Sequence, residues 1–160
     1  MYMYGFREIT EADNRAIASL IRKSLEKAEL NIPGTAYFDD CLDRLSEAYG
    51  SDTGRYYVLT DEGGEVVGGI GYSAFEYRDD TAELQKLYLD DKAHGKGIGY
   101  SMISFIEDRM REAGFKFSYL ETHDNLQAAI HIYQKAGYEE MDRPGEIGHS
   151  AMTRFFIKRL

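Results

Sequence analysis

The sequence predicts a single α/β (α+β) domain spanning residues 1–160, built on a mixed sheet that joins hairpins to helical crossovers. Three observations carry this prediction. Short strand-like runs alternate with apolar stripes at helical spacing, in the order β-α-α-β-β-β-α-β-α-β-β. Asp61-Glu-Gly-Gly64 separates two strand-like runs and supplies residues that accept the positive φ of a tight hairpin. A strand, a glycine-rich turn and a helix follow one another directly between residues 83 and 113, the pattern of a crossover.

Taken in order, FREIT near the start alternates and reads as a first strand. Thr10 is placed to cap the next helix, with Asp13 at its third position and Ile17, Leu20, Ile21, Leu25 and Ala28 at helical steps. Asn31-Ile-Pro-Gly34 ends it, and a second helix is expected over about 37–49 with Phe38, Leu42, Leu45 and Tyr49 on one face. Arg55–Thr60 and about 65–76 form the hairpin, the second strand carrying Gly68, Gly69 and Gly71, which suggest a bulge or a close backbone approach. Glu83–Leu89 is the next strand. A helix over about 98–113 follows, with Ile98, Met102, Phe105, Ile106 and Met110 in register, and stops at Gly114. Phe117–Glu121 is a short buried strand. Asn125 is expected to cap a helix that buries Leu126, Ala129, Ile130 and Tyr133 and ends at Gly137. Strands near 138–141 and 151–158 flank a loop with Asp142-Arg-Pro-Gly145, and an edge strand near 151–158 would suit a homodimer.

Composition narrows the function classes. A 43% hydrophobic chain with 13 Tyr and 8 Phe can bury a core, and the lone Cys41, beside Leu42, is a packing residue rather than half of a disulfide. No apolar run reaches membrane-spanning length, and the start lacks a basic stretch followed by an apolar one, so no membrane partner and a cytoplasmic location are expected. A net charge of −9 argues against a nucleic-acid partner. The charge is uneven: −3 over residues 1–50, −7 over 51–91 and +1 over 92–160. An anion is better received in the last third and a cation near the middle, although a solvated acidic surface would give the same numbers. His94, His123, His131 and His149 lack the close spacing of a ligand set, so no metal is expected.

The most informative segment is Leu87-Tyr-Leu-Asp-Asp-Lys-Ala-His94-Gly-Lys-Gly-Ile-Gly99. A strand, a turn rich in glycine and a helix aim backbone N–H groups and a helix dipole at one point, which is a cradle for phosphate. A Walker loop needs Ser or Thr after the lysine, whereas Gly97 follows Lys96; a dinucleotide fingerprint needs G-x-G-x-x-G, whereas Tyr100 stands at the last place. Neither nucleotide motif fits.

Glu83-Leu-Gln-Lys-Leu-Tyr-Leu89 followed by His94-Gly-Lys-Gly-Ile-Gly99 resembles the acetyl-CoA site of the GNAT superfamily of N-acetyltransferases, whose motif is Gln/Arg-x-x-Gly-x-Gly/Ala. His94 stands where Gln or Arg is usual. Leu120-Glu-Thr-His-Asp-Asn125 and Ala128-Ala-Ile-His-Ile-Tyr133-Gln-Lys-Ala-Gly137-Tyr138 resemble the family's fifth strand and following helix. The resemblance implies a mostly antiparallel sheet of six to seven strands flanked by about four helices and splayed between strands 4 and 5. It also implies acetyl-CoA as donor, with no metal, and direct transfer of acetyl to a primary amine; the acidic middle segment favours a cationic small-molecule amine as the acceptor. Acetylation of a protein N-terminus or lysine, or acyl-CoA sensing without turnover, are the alternatives.

Such a transfer needs a held donor, a polarised carbonyl, a base for an ammonium that titrates near 10 and an acid for the departing thiolate. The resemblance assigns donor binding to Leu87, Tyr88, Leu89, His94, Gly95, Lys96, Gly97, Ile98, Gly99, Asn125 and Tyr133. It further implies a bulge in the 83–89 strand that frees an amide for the carbonyl; in keeping with it, neither alternating face of that strand is uniformly apolar. Tyr133 matches the family's thiolate-protonating tyrosine, though its spacing with Leu126, Ala129 and Ile130 also suits a core residue. Glu83 is the candidate base, with a surface carboxylate as its alternative, and Glu121 is its reserve. Tyr37, Phe38, Glu121 and His149 are the candidate contacts to the acceptor amine.

Overall fold

A computed structural model describes residues 4–160. Its strands are β1 (Gly5–Glu8), β2 (Gly54–Thr60), β3 (Val66–Ala74), β4 (Thr81–Leu89), β5 (Phe117–Thr122), β6 (Glu139–Met141) and β7 (Arg154–Arg159). The helices are α1 (Asn14–Lys27), the single turn α2 (Leu45–Ala48), α3 (Ile98–Glu112) and α4 (Gln127–Lys135). The strands form one sheet in the order β1-β2-β3-β4-β5-β7-β6, antiparallel throughout except for the parallel pair β4–β5.

Both faces of the sheet are covered, as the alternation of β2 shows. Tyr56 and Val58 point to the layer formed by α1 and the segment after it, where they meet Ile17, Ile21, Leu25 and Leu42. Tyr57 and Leu59 point the other way, toward Met102, Ile103 and Ile106 of α3 and Ile130 and Tyr133 of α4. A β-strand sends successive side chains to opposite faces, so the apolar run Tyr56–Leu59 buries both its faces only between two layers.

The start of α1 follows its sequence. Asp13 is buried and accepts from the Thr10 amide at 2.8 Å and from both Arg7 guanidinium nitrogens at 2.6 and 2.8 Å, fixing the chain as it enters the helix through a 3-10 turn. In the hairpin, Asp61 Oδ1 accepts from the Gly63 and Glu65 amides, each at 3.0 Å, and Gly64 takes φ 81°.

Three expectations are corrected. The helix expected over 37–49 is broken into 3-10 turns at Ala36–Phe38 and Leu42–Arg44 and the short α2. Leu42 and Leu45 are buried, but Phe38 is 57% exposed. The break comes at Asp39, which turns extended (ψ 130°) and gives its carboxylate to Lys86 and His149 from distant parts of the chain. Long-range ion pairs win there over helical propensity. Asn125 does not cap α4: its side-chain amide donates to Ala28 O at 2.9 Å, the cap position falls on Leu126, and the helix starts at Gln127. Leu126 and Ala129 are consequently only half-buried, while Ile130 and Tyr133 are buried. The strand expected at an edge, 151–158, is β7, which lies between β5 and β6; the edges are β1 and β6, so the homodimer expectation loses its basis.

Candidate active site

The parallel pairing of β4 and β5 is confined to Thr81, Ala82 and Glu83 opposite Phe117, Ser118 and Tyr119. Beyond Glu83 the strands separate, because β5 stays with β7 as far as Thr122 while β4 stays with β3 as far as Leu89. The resulting V is a cleft. Gln85, Leu87 and Tyr88 line it from β4, Glu121 and Thr122 from β5, Ala129 and Tyr133 from α4, and Ser24 and Leu25 from α1.

At the end of β4 lies the glycine turn. Gly95 and Gly97 take φ 79° and 73°, and a β-carbon on either would meet nothing within 4 Å, so open space faces the backbone there. Gly97 stands at the N-cap of α3 in a left-handed conformation and no side chain caps the helix. The leading amides of α3 are thus left for an external acceptor, at the positive end of a helix dipole. These features fit the diphosphate of a coenzyme A. Gly99 also serves packing, since a β-carbon there would crowd Ile132 Cδ1 at 3.0 Å and its absence lets α3 and α4 approach. Ile98 is buried, and Lys96 is exposed. His94 turns back, with Nε2 2.9 Å from Leu89 O, and so steadies the turn.

β4 is bulged. Gly69 pairs with Tyr88 and Gly71 with Gln85, leaving one residue of β3 opposite two of β4, and Lys86 takes φ 51°. The extra residue reverses the alternation: Leu84 before it and Leu87 and Leu89 after it all pack on the α3 side, while Tyr88 packs on the α1 side. A side chain from β2 pins the bulge. Tyr56 crosses β3 and its hydroxyl donates to Lys86 O at 2.8 Å. It can do so because a β-carbon on Gly69 or Gly71 would collide with its ring. The glycines of β3 therefore mark both a bulge and a close approach.

Glu83 sits where the strands part. Burial, and next the charge of Glu121, push its carboxyl up to about 7, against a hydrogen bond from Gln85 Nε2 to Glu83 Oε1 at 3.1 Å. Gln85 is itself oriented by the Tyr49 hydroxyl, which donates to Gln85 Oε1 at 2.5 Å. Burial also raises Glu121, which accepts from the Tyr119 hydroxyl at 2.9 Å. Across the cleft, burial raises the Tyr133 hydroxyl, keeping it protonated throughout the neutral range.

A second cavity opens beside the first, lined by Phe75, Glu76 and Tyr77 after β3 and by Ile147 and Gly148 of the β6–β7 loop. Glu83, Gln85, Glu121 and His149 line both. One wall of this junction is tied by ion pairs. Lys86 Nζ lies 2.9 Å from Asp39 Oδ2, and His149 Nε2 lies 2.8 and 3.0 Å from the two Asp39 oxygens. Burial works to raise Asp39, yet the hydrogen bond from His149 and the charge of Lys86 hold it below the usual carboxylate range.

The structure thus brings Glu83, Leu87, Tyr88, Glu121, Tyr133 and His149 around one junction. It places Tyr37 and Phe38 away from the lining: the Tyr37 hydroxyl donates to Glu26 Oε2, and Phe38 faces solvent, while Thr35 and Ala36 of the same turn reach the cleft. Asn125 stands exposed at the α1–α4 contact, next to the lining residue Leu126. Sequence reasoning missed Asp39, Tyr49, Tyr56, Gln85 and Lys86. A signal existed for Lys86, the break in β4 alternation, and for Tyr56, the facing glycines; Asp39 and Tyr49 lie in a segment without one. Among the described residues, no group of three or more His, Cys, Asp or Glu could hold a metal ion, and no helix is long and apolar enough to cross a membrane.

Comparison with known proteins agrees with this geometry. The profile of the Acetyltransferase (GNAT) family matches residues 16–138. The uncharacterized N-acetyltransferase YjgM of Escherichia coli (strain K12) is 38% identical over 138 residues, 85% of this chain and 82% of its own length. A spermine/spermidine N(1)-acetyltransferase of Bacillus subtilis (strain 168) is 31% identical over 116 residues, 66% of this chain and 73% of its own. A phosphinothricin acetyltransferase of the GNAT superfamily from Sinorhizobium meliloti, solved with acetyl-CoA, has the same fold: its TM-score is 0.76 at 24% identity, covering 98% of this chain and 88% of that one. With its splayed β4–β5 pair, its open glycine cradle and a family match over most of its length, the chain belongs to the GNAT family of acetyltransferases.

Proposed function

We propose that the protein transfers the acetyl group of acetyl-CoA directly to a primary amine of a small, cationic molecule, within the single domain formed by residues 1–160. The observation that carries this reading is the shared wall of the two cavities. Glu83, with its carboxyl near 7, faces the donor cleft on one side and a chamber lined by Glu76 and Glu121 on the other. Three carboxylates favour an ammonium, and Phe75 and Tyr77 offer its hydrocarbon part aromatic surface. The spermine/spermidine acetyltransferase among the relatives acts on an acceptor of this class.

In this reading the amides of residues 94–99 hold the diphosphate, with Leu87, Tyr88 and Leu89 along the pantetheine. When bound, the donor supplies a thioester whose carbonyl the bulge at Lys86 would polarise through a freed amide. Glu83 takes a proton from the acceptor ammonium. The amine nitrogen then bonds to the carbonyl carbon, the carbon–sulfur bond breaks as Tyr133 hands its proton to the thiolate, and the second proton of the former ammonium returns to Tyr133, leaving the neutral amide and free thiol. A carboxylate near 7 is about half ionised at neutral pH, far better matched to proton removal than one at its ordinary value.

Calorimetric titration with acetyl-CoA, with NAD and ATP as controls, tests the donor, and release of free thiol in the presence of amines tests the acceptor. Saturable micromolar binding of acetyl-CoA alone, with spermidine and short diamines turned over faster than acidic amino acids, is expected. Binding of a control in preference to acetyl-CoA would overturn the donor assignment, and preference for an acidic acceptor the amine assignment.

A further inference from the structure

At Lys86 the chain holds a conformation that L residues rarely adopt. Among the described residues, eight glycines occupy positive-φ positions, and only Glu29 and Lys86 do so with a side chain. A glycine at 86 would take this φ without strain, so the lysine side chain must contribute something a glycine cannot. Its side chain is one-tenth exposed, and the ammonium reaches the Asp39 carboxylate, whose side chain is one-fifth exposed, at 2.9 Å. Asp39 in turn holds His149. One ion pair therefore ties the bulge of β4 to the segment after α1 and to the β6–β7 loop, the two coverings of the junction. From the opposite side the same residue's carbonyl accepts from Tyr56. The bulge is gripped at both ends of one residue.

We infer that the Asp39–Lys86 pair, backed by His149, is a positioning latch that holds the β4 bulge in the geometry polarising the thioester carbonyl. This rests on acetyl-CoA occupying the β4–β5 cleft. Lys86 needs no contact with the donor for this role. Its ammonium is already committed to Asp39, and the titratable groups near it are Asp39, His149 and Glu83. Loss of either partner would leave a shielded, uncompensated charge and let the bulge relax toward regular pairing with Ile70. The residue before the bulge, Gln85, would turn with it, and Gln85 orients Glu83. Carbonyl polarisation would suffer while the cradle at residues 94–99 stays intact.

The test reads the carbonyl directly and needs no acceptor. Acetyl-CoA labelled with 13C at the carbonyl is bound to the wild type and to Asp39→Asn, Lys86→Met, Lys86→Arg and Lys86→Gly, and the infrared stretch of the thioester is compared with that of free acetyl-CoA. Calorimetry with CoA and with acetyl-CoA runs in parallel. The wild type is expected to lower the stretching frequency and to bind acetyl-CoA several-fold tighter than CoA. Asp39→Asn and Lys86→Met should lose most of both effects while CoA affinity stays within about threefold, and Lys86→Arg should recover them in part. Lys86→Gly relieves the backbone and so guards against misfolding; it should fold and still lose the shift. Retention of the full shift by Lys86→Met or Lys86→Gly overturns the latch. So does a loss of shift that comes only with an equal loss of CoA affinity, since that is a general structural effect. A wild type that binds without any shift overturns the amide assignment and the latch with it. Absence of acetyl-CoA binding overturns the cleft reading itself.

Discussion

The proposed donor side and the proposed acceptor side of this site are built in different ways. The donor side is backbone and is contiguous in sequence, running from the bulge through Gly95 and Gly97 to the uncapped start of α3. The proposed acceptor side is made of side chains gathered from across the fold: Glu76 after β3, Glu83 and Gln85 on β4 with Tyr49 behind Gln85, Glu121 on β5 and His149 beyond β6. Backbone recognition survives most side-chain changes, so a donor common to a family can be held by a short motif. Side-chain recognition changes with any one residue, so an acceptor can be exchanged on an unchanged frame.

Substitution of the two proposed proton-transfer residues should reduce turnover without touching donor affinity. Glu83→Gln is expected to lower kcat/KM for the best amine about 10²–10³-fold, the usual scale for a general base, with acetyl-CoA affinity unchanged by calorimetry. The wild-type rate should climb as pH rises through about 7, where Glu83 ionises, and that limb should vanish in the variant. A pH profile of kcat/KM for both proteins checks this. Tyr133→Phe is expected to cost about 10–10²-fold in kcat with donor affinity retained, in steady-state thiol release and CoA titration.

On the donor side the split should invert. Gly97→Val places a β-branched residue at φ 73° on the cradle, and CoA affinity should fall at least about tenfold in calorimetry. The melting temperature should drop modestly, since a β-carbon there meets no protein atom within 4 Å.

Smaller effects fall on stability. The folded protein keeps the Glu83 proton up to about pH 7, whereas the unfolded chain releases it near 4.5. The folded state thus binds more protons between those values, and stability should decline as pH rises across that window, by about 1–3 kcal/mol. Glu83→Gln should flatten the decline in urea unfolding at pH 5 and 8. Asp13 behaves oppositely. Arg7 holds it below its ordinary value, first by hydrogen bonding, so its contribution is present near neutrality and fades as pH falls below about 4. Asp13→Ala should cost about 1–2 kcal/mol in the same assay at pH 7 with no change in CoA affinity.

Much of the frame was legible because its signals are local. The alternation of β2, the stripe of α3, the Asp61 turn and the glycine run each depend on neighbours a few residues apart. The bulge in β4 was implied by the family resemblance, and the lack of a uniformly apolar face over 83–89 was in keeping with it. Where reading failed, a distant partner decided. Leu42, Leu45 and Tyr49 keep helical spacing, yet Asp39 is drawn to Lys86 and His149 and the helix does not form. Asn125 has the chemistry of a cap, yet Ala28 O takes its amide. A strand at the end of the chain looked like an edge, yet β6 folds back outside it.

The sequence by itself therefore determined the order of elements and the glycine turn between β4 and α3, because periodicity and backbone freedom are properties of short segments. Only the tertiary structure decided which charged side chains meet at the junction, how Tyr56 threads past two glycines to a carbonyl, and how Glu83 acquires a carboxyl that titrates near neutrality. Those depend on burial and on charges brought together through space, and no spacing along the chain encodes either.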